Sequence, residues 1–558
     1  MANDVSFNLS TVFRTVAETI PDSEVLIWRD RRFTYAQMDA RIDGVAHYLA
    51  GRGLGCHVER DQLAGHESGQ DHLGLYMRNN NAYLEAMVGS YRARVAPFNV
   101  NYRYVEEELL YLLGDAKSRA LVYAAEFAPH VQSIRGRLPD LEVLIQVADD
   151  SGNELLPDAV DYDSILSTPA PAAGMPTPSG DDLYILYTGG TTGMPKGVLW
   201  RQHDIFMSAM GGRPFLAAGD PLGSYDDLAA QAKAQAGVRS LLLIPPLMHG
   251  AAQWGVFNTI STGGWIALPD DVVHFDADAL LRLAARERVL GIPVVGDAMA
   301  RPLVDQIEKG DYDLSGLLAL TNGGAPLSPT VRDRLLNALP NLMIMDAVGA
   351  SESGAQMTTV MTKGAEVEAA TFTPLADTTV VAADFSRVLT PGEGDGWLAR
   401  RDLVPLGYLG DAEKTARTFP TIDGVRWSIP GDKARLLDDG RIELLGRDSV
   451  TINSGGEKIF AEEVERAVAS HPSVYDVVVA GRPSERWGNE VVAIVQFAEN
   501  RSATDEELAE ACRAHVADYK VPKAFVRTDH VVRSPAGKAD YRWAKAVATE
   551  AASRQENS

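Results

Sequence analysis

Residues 187–198 read Tyr187-Thr188-Gly189-Gly190-Thr191-Thr192-Gly193-Met194-Pro195-Lys196-Gly197-Val198. The stretch follows an apolar run and combines glycines, threonine hydroxyls and one lysine. Glycines let the backbone approach a phosphate closely, amides and hydroxyls donate to its oxygens, and lysine supplies a point charge. A Walker P-loop places Gly-Lys-Ser/Thr at the start of a helix, whereas Pro195 precedes Lys196 here. The stretch therefore predicts a phosphate-binding loop of another type.

The segments on both sides of this loop alternate between short apolar runs and helical patterns. Helical spacing begins near Phe33, and apolar runs recur at 74–77, 120–123, 184–187, 241–244, 293–295 and 342–345. Such alternation predicts an α/β fold with mainly parallel sheets. Beyond Asp432 the pattern changes to short strands around 439–440 and helices at 461–469 and 506–516. This end of the chain predicts a small α+β domain.

Composition narrows the class of protein further. The chain has 558 residues, which is too many for one hydrophobic core, so at least two domains are expected. Its 52 Lys and Arg against 76 Asp and Glu give a net charge of −24, which repels nucleic acid. Cys56 and Cys512 are the only cysteines, and neither a leader peptide nor a membrane-spanning run is apparent. A cytoplasmic protein is expected, with His57, His66 and His72 solvated rather than bound to metal.

The loop at 187–198 resembles the phosphate-binding loop of the adenylate-forming superfamily, which includes acyl-CoA synthetases, luciferases and the adenylation domains of peptide synthetases. The family's usual loop has serine where this chain has Gly189, so one hydroxyl donor is absent while the backbone amide remains. The resemblance implies that ATP phosphates contact Thr188, Gly189, Gly190, Thr191, Thr192, Gly193 and Lys196. Among these, Lys196 is also expected to have a catalytic role.

Two further motifs resemble the nucleotide site of this family. Residues 322–326 resemble the adenine-binding loop, which implies that Gly323, Gly324, Ala325 and Pro326 contact the nucleotide. Residues 348–353 resemble the motif in which a hydroxyl, here Ser351, contacts phosphate and a glutamate, here Glu352, holds Mg²⁺. A carboxylate is the right ligand type because Mg²⁺ prefers hard oxygens.

The remaining motifs resemble the segments around the family's domain junction. Asp432, in 429–432, is expected to accept both ribose hydroxyls, and Arg447 is expected to approach ribose and phosphate. The family's hinge position, usually Asp or Lys, corresponds to Ser449. Residues 453–458 resemble the loop that meets the pantetheine arm of CoA, through Ser454, Gly455 and Gly456. Residues 533–538 resemble the loop that carries the adenylation lysine, here Lys538, which is also expected at the nucleotide.

The acyl pocket is expected around His249, which matches a position bordering the acyl site and is given an orienting or gating role. The small residues beside it leave room for a bulky or long acid. The predicted pocket residues are His249, Gly250, Ala251, Ala252, Trp254 and Gly324. Residues 296–303 and 540–545 look similar to actinobacterial fatty-acid and steroid-side-chain CoA ligases.

Together these resemblances imply a large N-terminal adenylation domain at 1–446, a hinge at 447–449 and a small mobile C-terminal domain at 450–558. The implied reaction joins a carboxylic acid to CoA through an acyl-adenylate, with ATP, Mg²⁺ and CoA as the cofactor and co-substrates. The expected substrate is a medium-chain, long-chain or steroid side-chain acid. The prediction also includes a homodimer as an oligomeric state.

Other functions stay open on the sequence alone. The acid could pass to a carrier protein, the chain could be an adenylate-forming oxygenase, or it could be a nucleotide-binding regulator without catalysis. An amino-acid substrate would need an acidic group near Asn258 or Asp297, and Asp297 is available in principle. The joint presence of Lys196, Glu352, Asp432, Arg447 and Lys538 argues against an inactive regulator.

Overall fold

The computed structural model describes residues 5–188, 194–214, 220–365, 368, 370–375, 377–447, 450–454, 457–484, 488–533 and 537–556. The predicted site residues Gly189, Gly190, Thr191, Thr192 and Gly193 lie outside these ranges, as do Ser449, Gly455 and Gly456. Among the described residues, no helix has the length and apolar character that crossing a bilayer requires.

The first part of the chain alternates helices and strands. Its elements are α1 Leu9–Thr19, β1 Glu24–Trp28, β2 Arg31–Thr34, α2 Tyr35–Gly51, β3 His72–Tyr76, α3 Asn81–Arg92, β4 Ala96–Asn99, α4 Glu106–Asp115, β5 Ser118–Ala124, α5 Ala128–Ile134, β6 Val143–Val147, β7 Ala159–Asp161, α6 Tyr162–Ile165 and β8 Leu183–Thr188.

The alternation continues through the middle of the chain. Its elements are β9 Lys196–Arg201, α7 Gln202–Ala209, α8 Tyr225–Ala234, β10 Ser240–Leu242, α9 Gly250–Ile260, β11 Trp265–Leu268, α10 Ala277–Glu287, β12 Gly291–Val294, α11 Gly296–Ile307, β13 Ala319–Gly323, α12 Pro329–Ala338 and β14 Met343–Ala350.

The last part is richer in strands. Its elements are β15 Gly354–Met361, β16 Thr371–Pro374, β17 Thr378–Val381, β18 Gly394–Arg401, β19 Gly407–Tyr408, α13 Ala412–Thr418, β20 Thr421–Ile422, β21 Val425–Ser428, β22 Asp432–Leu436, β23 Ile442–Arg447, β24 Thr451–Ser454, β25 Glu457–Phe460, α14 Ala461–Ala469, β26 Val474–Ser484, β27 Gly488–Phe497, α15 Asp505–Arg513, β28 Ala524–Arg527 and α16 Tyr541–Glu556.

Two large sheets organise residues 5–447. The first has the strand order β19-β9-β8-β4-β3-β5-β6-β7 and is parallel from β8 to β7. The second runs β2-β1-β11-β10-β12-β13-β14 and continues through β15 into an antiparallel part. In the parallel part of the first sheet, β3, β5 and β8 are almost fully buried, as their uninterrupted apolar runs predict. The predicted α/β class is thus confirmed.

Local sequence signals explain where the helices begin. α2 starts with a capping box, in which Thr34 and Gln37 satisfy each other's backbone amides. α12 starts at Pro329 after Ser328, whose hydroxyl accepts from the Val331 amide. α14 is amphipathic and buries Val464 and Val468 against the sheet β26-β27-β28 of the small C-terminal region.

Two details of the sequence prediction are wrong. The short strands around 439–440, β22 and β23, extend the second large sheet through β18 and β16 instead of opening the small domain. Apolar residues such as Ala434 and Ile442 pack into the large region's core there. His72 is not solvated, because it begins the buried strand β3 and its ring nitrogens contact the Ala116 carbonyl and the Ser68 hydroxyl.

Candidate active site

A cavity of about 1330 Å³ opens at the carboxyl ends of the parallel strands of both large sheets. Ends of strands in this class of fold are where ligands bind, because loops diverge there and leave a crevice. The cavity brings together most of the predicted site residues that the structure describes, namely Thr188, His249, Gly250, Ala251, Ala252, Trp254, Gly323, Gly324, Ser351, Glu352 and Lys538. Side chains separated by several hundred residues in sequence therefore face one volume.

Several predicted residues do not line the cavity: Lys196, Ala325, Pro326, Asp432 and Ser454. Asp432 is buried and follows Gly431, which does line the cavity, and it pairs in register with Arg447 across β22 and β23. Ser454 ends β24 in the hairpin β24–β25 of the C-terminal region.

Two asparagines that the sequence analysis missed hold the loop before α9. Asn79 donates from Nδ2 to the Pro245 carbonyl at 3.0 Å, and its Oδ1 accepts from the Leu247 amide at 2.7 Å. Asn99 donates to the carbonyls of Tyr187 and Met248 at 2.8 and 2.7 Å. Asn79 follows β3 and Asn99 ends β4, and both strands are parallel strands of the first sheet. A polar residue at the carboxyl end of a parallel strand is the sequence signal that could have identified them. They join the phosphate-loop strand to the loop that carries His249.

His249 precedes α9 and faces the cavity. Burial, together with the positive charges of Lys538 and Arg103, lowers the pKa of His249 to about 4. Its Nε2 atom is buried and has no hydrogen-bond partner among the described residues. A neutral imidazole with a free ring nitrogen is therefore available to a bound ligand.

The loop that carries Ser351 and Glu352 is held from three sides. The indole of the fully buried Trp200 donates to the Ser351 carbonyl at 2.8 Å. Ser428 donates to the Glu352 carbonyl, and Arg400 donates to the Ser353 carbonyl at 3.0 Å. These contacts fix the backbone, so the Glu352 carboxylate projects into the cavity from a rigid loop.

The Tyr408 hydroxyl donates to Oε1 of the Glu352 carboxylate at 2.8 Å. Burial and the Glu352 charge raise the pKa of Tyr408 well above its usual value, so it remains a donor. Within the described ranges, His, Cys, Asp and Glu side chains form no group of three that could hold a metal ion by themselves. A cation at Glu352 would take its other ligands from a bound substrate and water.

Two cations on α13, also missed from the sequence, line the same end of the cavity. Lys414 Nζ lies 3.9 Å from the centre of the Tyr408 ring, and Arg417 follows one turn later. Burial lowers the pKa of Lys414, although Glu352 opposes this effect. The spacing of the two residues on one helix face is the signal that the sequence offered. This end of the cavity therefore attracts anions in spite of the acidic surface.

Lys196 is directed to Asp115 rather than into the cavity, with Nζ 3.4 Å from Oδ1. Burial lowers the pKa of Lys196, but the contacts with Tyr111 and Asp115 outweigh burial and the pKa is raised. Asp115 also accepts from the Tyr187 hydroxyl at 2.8 Å, which holds the carboxylate in place. The lysine is thus a permanent cation at the base of the phosphate loop.

The loop 323–326 is fixed by Asn322, the fourth residue of β13. Its Oδ1 accepts from the Gly296 amide at 2.8 Å, while its Nδ2 donates to the Ala325 carbonyl and to Asp346 Oδ1. Burial raises the pKa of Asp346 to about 6. Gly324 has a φ of +81°, which a residue with a Cβ adopts only under strain. The loop therefore depends on glycine at this position.

Asp297 is not available to hold a substrate amine. Its Oδ2 pairs with Arg301 at 2.6 Å, its Oδ1 accepts from the Ser328 amide at 2.8 Å, and it does not line the cavity. Arg301 in turn lies over the ring of Tyr475 in the C-terminal region, 4.5 Å from its centre. This carboxylate is used in the contact between the two parts of the chain.

The segment that carries Lys538 packs closely on the large region. A Cβ at Gly537 would lie 2.9 Å from the Val295 carbonyl oxygen, and the φ of Gly537 is +73°. Within the C-terminal region, Arg533 pairs with Asp476 at 2.6 Å and donates to the Gly537 carbonyl at 3.3 Å. This bracing and the absence of a side chain at Gly537 bring Lys538 to the cavity beside His249.

Comparisons with known proteins agree with this geometry. The family AMP-binding enzyme matches residues 13–409, and the AMP-binding enzyme C-terminal domain matches residues 463–538. The medium-chain acyl-CoA ligase Mig of Mycobacterium avium is 56% identical over 545 residues, covering 97% of this chain and 98% of that protein. The 3-oxocholest-4-en-26-oate–CoA ligase of Rhodococcus rhodochrous is 37% identical over 549 residues, covering 97% and 96%.

A solved structure shows the same fold at low sequence identity. The anthranilate CoA ligase AuaEII in complex with anthranoyl-AMP superposes with a TM-score of 0.80 at 19% identity, over 99% of this chain and 100% of that one. The family match covers well over half of the chain, and the Mycobacterium avium ligase matches it almost from end to end. The chain belongs to the AMP-binding enzyme family.

Proposed function

We propose that this protein is an acyl-CoA ligase, which joins a hydrophobic carboxylic acid to CoA at the expense of ATP and releases AMP and pyrophosphate. One observation carries the proposal: a single cavity joins an anion-attracting end at Lys414 and Glu352 to a central point at Lys538 and His249, and then to an apolar arm. The names of the relatives, a medium-chain acyl-CoA ligase and a steroid acid–CoA ligase, support CoA as the acceptor.

In the first step a carboxylate oxygen of the acid attacks the α-phosphorus of ATP. A phosphorus–oxygen bond forms, the bond to the bridging oxygen of pyrophosphate breaks, and pyrophosphate leaves with the electron pair. Two anions must meet, so the protein's task is alignment and charge neutralisation. Lys538 stands where the carboxylate and the α-phosphate approach, and neutral His249 donates or accepts a hydrogen bond without adding charge. Lys196, Lys414 and Arg417 neutralise the leaving group.

The residues at Glu352 fit Mg²⁺ bound with ATP. Glu352 offers one carboxylate on a rigid loop, and the described His, Cys, Asp and Glu side chains form no group of three around a metal position. Mg²⁺ is commonly held in this way when phosphates and water complete its coordination. Bound there, Mg²⁺ would supply positive charge to the phosphates. Thr188, the loop 189–193 and Ser351 are proposed to contact the same phosphates, and the loop 323–326, Asp432 and Arg447 to contact adenosine.

In the second step the CoA sulfur attacks the carbonyl carbon of the acyl-adenylate. A carbon–sulfur bond forms, the carbon–oxygen bond to phosphate breaks, AMP leaves, and the thiol proton passes to solvent. Lys538 lines the cavity beside His249, so we propose that the thiol needs another approach. We propose that the C-terminal domain, 450–558, rotates about the hinge 447–449 relative to the domain 1–446, which carries Ser454, Gly455 and Gly456 to the cavity.

The acyl arm favours a long or bulky acid. Beyond His249 it is bordered by Gly250, Ala251, Ala252 and Trp254 and by Gly324. A medium-chain or long-chain fatty acid, or a steroid side-chain acid, is the substrate we propose. Transfer to a carrier protein and oxygenase chemistry are the competing outcomes of the test below. Cys56 and Cys512 are free thiols, which is consistent with the proposed cytoplasmic location, and a homodimer stays a prediction.

The test is an AMP-release assay with a panel of fatty, steroidal and amino acids, run with and without CoA. We expect acid-dependent pyrophosphate exchange without CoA, and AMP release with thioester formation when CoA is added. Activity that is indifferent to CoA with every acid would contradict the acceptor, and absence of exchange with every acid would contradict the reaction class.

Substituting Lys414→Met is expected to raise KM for ATP about tenfold, since one charge-assisted hydrogen bond to phosphate contributes roughly 1.5 kcal/mol or more. The methionine keeps the apolar stem over Tyr408. Initial rates at varied ATP measure the effect. Lys309→Met, an exposed lysine outside the cavity, is the control. A KM for ATP that is the same in both variants would remove Lys414 from the phosphate site.

Substituting Glu352→Gln is expected to raise the Mg²⁺ concentration needed for half-maximal pyrophosphate exchange by about tenfold or more, because a neutral amide does not offset the metal's charge. The amide still accepts from Tyr408, so the melting temperature should stay near that of the wild type. A Mg²⁺ titration of the exchange rate measures the effect. An unchanged Mg²⁺ requirement would exclude Glu352 as a ligand.

A further inference from the structure

The acyl arm of the cavity does not end in an apolar pocket. It follows the second sheet from Gly323, at the carboxyl end of β13, to Ala319, at the start of that strand. Four residues of strand at about 3.3 Å each span about 13 Å. Along this path the walls are mainly apolar, with Leu241, Pro293 and Met345 among them. A hydrocarbon segment therefore fits the middle of the arm.

The far end of the arm is polar. Gln231, Gln235, Arg239 and Asn258 line it, at the end of α8, before β10 and on α9. Arg239 donates from Nη1 to Asn258 Oδ1 at 3.0 Å. Because Asn258 Oδ1 accepts from Arg239, the other end of the same amide, Nδ2, is a hydrogen-bond donor. The two side chains together present hydrogen-bond donors at one point.

Within the part of the chain that the structure describes, no carboxylate is ion-paired with the guanidinium of Arg239, although acids are in large excess. None of the described carboxylates, including the cavity-lining Asp220, lies within ion-pair distance of it. Arg213, which lines the same arm, is by contrast paired with Asp377 at 2.8 Å. Arg239 is thus a charged donor that the fold leaves available at the end of an apolar passage.

We infer that this site prefers acids that carry a second oxygen acceptor, a ketone or carboxylate oxygen, at the end remote from the reacting carboxylate, and that Arg239 and Asn258 bind that oxygen. The inference rests on the proposed function, since it assumes that the acyl chain occupies this arm. If the far end of the acid is a hydrocarbon, Arg239 and Asn258 stay hydrogen-bonded to water and add no binding free energy. An oxygen acceptor gains a charge-assisted hydrogen bond, which is the stronger kind.

The experiment compares Arg239→Met with the wild type on two acids of equal length, decanoate and its analogue with a ketone next to the far end. CoA-thioester formation gives kcat/KM for each acid. We expect Arg239→Met to lower kcat/KM for the ketone acid about tenfold, from one charged hydrogen bond, and to leave decanoate unchanged. Arg52→Met, at an exposed arginine beyond α2, is the control and should change neither value.

The ratio of the two losses decides between outcomes. A loss confined to the ketone acid supports the inference, and equal losses or no loss overturn it while the activity on decanoate leaves the proposed function intact. If the wild type forms no CoA thioester with any acid, the proposed function fails and this inference fails with it. Melting temperatures of both variants separate a binding effect from unfolding.

Discussion

Lys538→Ala is expected to reduce acyl-adenylate formation by about a hundredfold or more, the usual cost of removing one preorganised charge from a polar transition state. Thioester formation from supplied acyl-AMP should be nearly unaffected. The reason is position: Lys538 lines the cavity beside His249. In the proposed mechanism the carboxylate and the α-phosphate meet there, and that step is complete once the adenylate has formed.

Two assays test this split. Pyrophosphate exchange reports the first step alone, and conversion of synthetic acyl-AMP with CoA reports the second. Lys545→Ala, an exposed lysine on α16 of the same region, is the matched control and should leave both steps unchanged. Equal losses in both steps for Lys538→Ala would mean that the lysine supports the fold or the rotation rather than the meeting of two anions.

Gly255→Leu is expected to reverse the preference for large acids. Gly255 lies in α9 and lines the acyl arm. A Cβ at this position would lie 3.6 Å from Leu241 Cδ2, which is an ordinary van der Waals contact. A leucine would therefore fit at its base and extend into the arm. Excluding about three methylenes at ~0.8 kcal/mol each lowers kcat/KM for long acids roughly fiftyfold, while short acids should be little changed.

A chain-length series of fatty acids measures the shift. Gly114→Leu, at an exposed helical glycine in α4 with no atom near its Cβ, controls for the general effect of leucine in a helix. Since leucine favours helix over glycine, neither variant should unfold. Gly324 also lines the arm but is a poorer choice, because its φ of +81° would add strain to any substitution. Parallel losses for short and long acids would show that the acyl chain lies elsewhere.

Much of the site was predictable because its chemistry is concentrated in short motifs. The loops around Ser351, Gly324 and Lys538 were identified in sequence, and the structure places all three at one cavity. The roles assigned to these residues stay predictions. The α/β class followed from apolar runs such as 120–123, because a strand buried on both faces has no polar alternation.

What escaped prediction depends on tertiary contacts. Lys414 looks like any surface lysine until the pairing of β19 with β9 brings it to Glu352. Asn79 appears as a turn residue, yet its amide closes on a loop more than a hundred residues away. Asp297 looked free to bind an amine, and only the folded chain shows that Arg301 and Ser328 occupy it. The structural role of each of these side chains depends on contacts that the fold creates, most of them with residues remote in sequence.

The continuity of the cavity has a consequence for the fate of the intermediate. The proposed nucleotide end and the proposed acyl arm are one volume, so under this proposal an acyl-adenylate would be held at both ends at once. The acyl-adenylate dissociates only when its AMP group and its acyl group are both unbound. While one group is bound, the other stays close to its own site, and the high effective concentration favours rebinding. In the proposed reaction, the mixed anhydride therefore leaves far more slowly than either AMP or the free acid would. Binding at both ends therefore limits the loss of the reactive acyl-adenylate to solvent, where it would be hydrolysed.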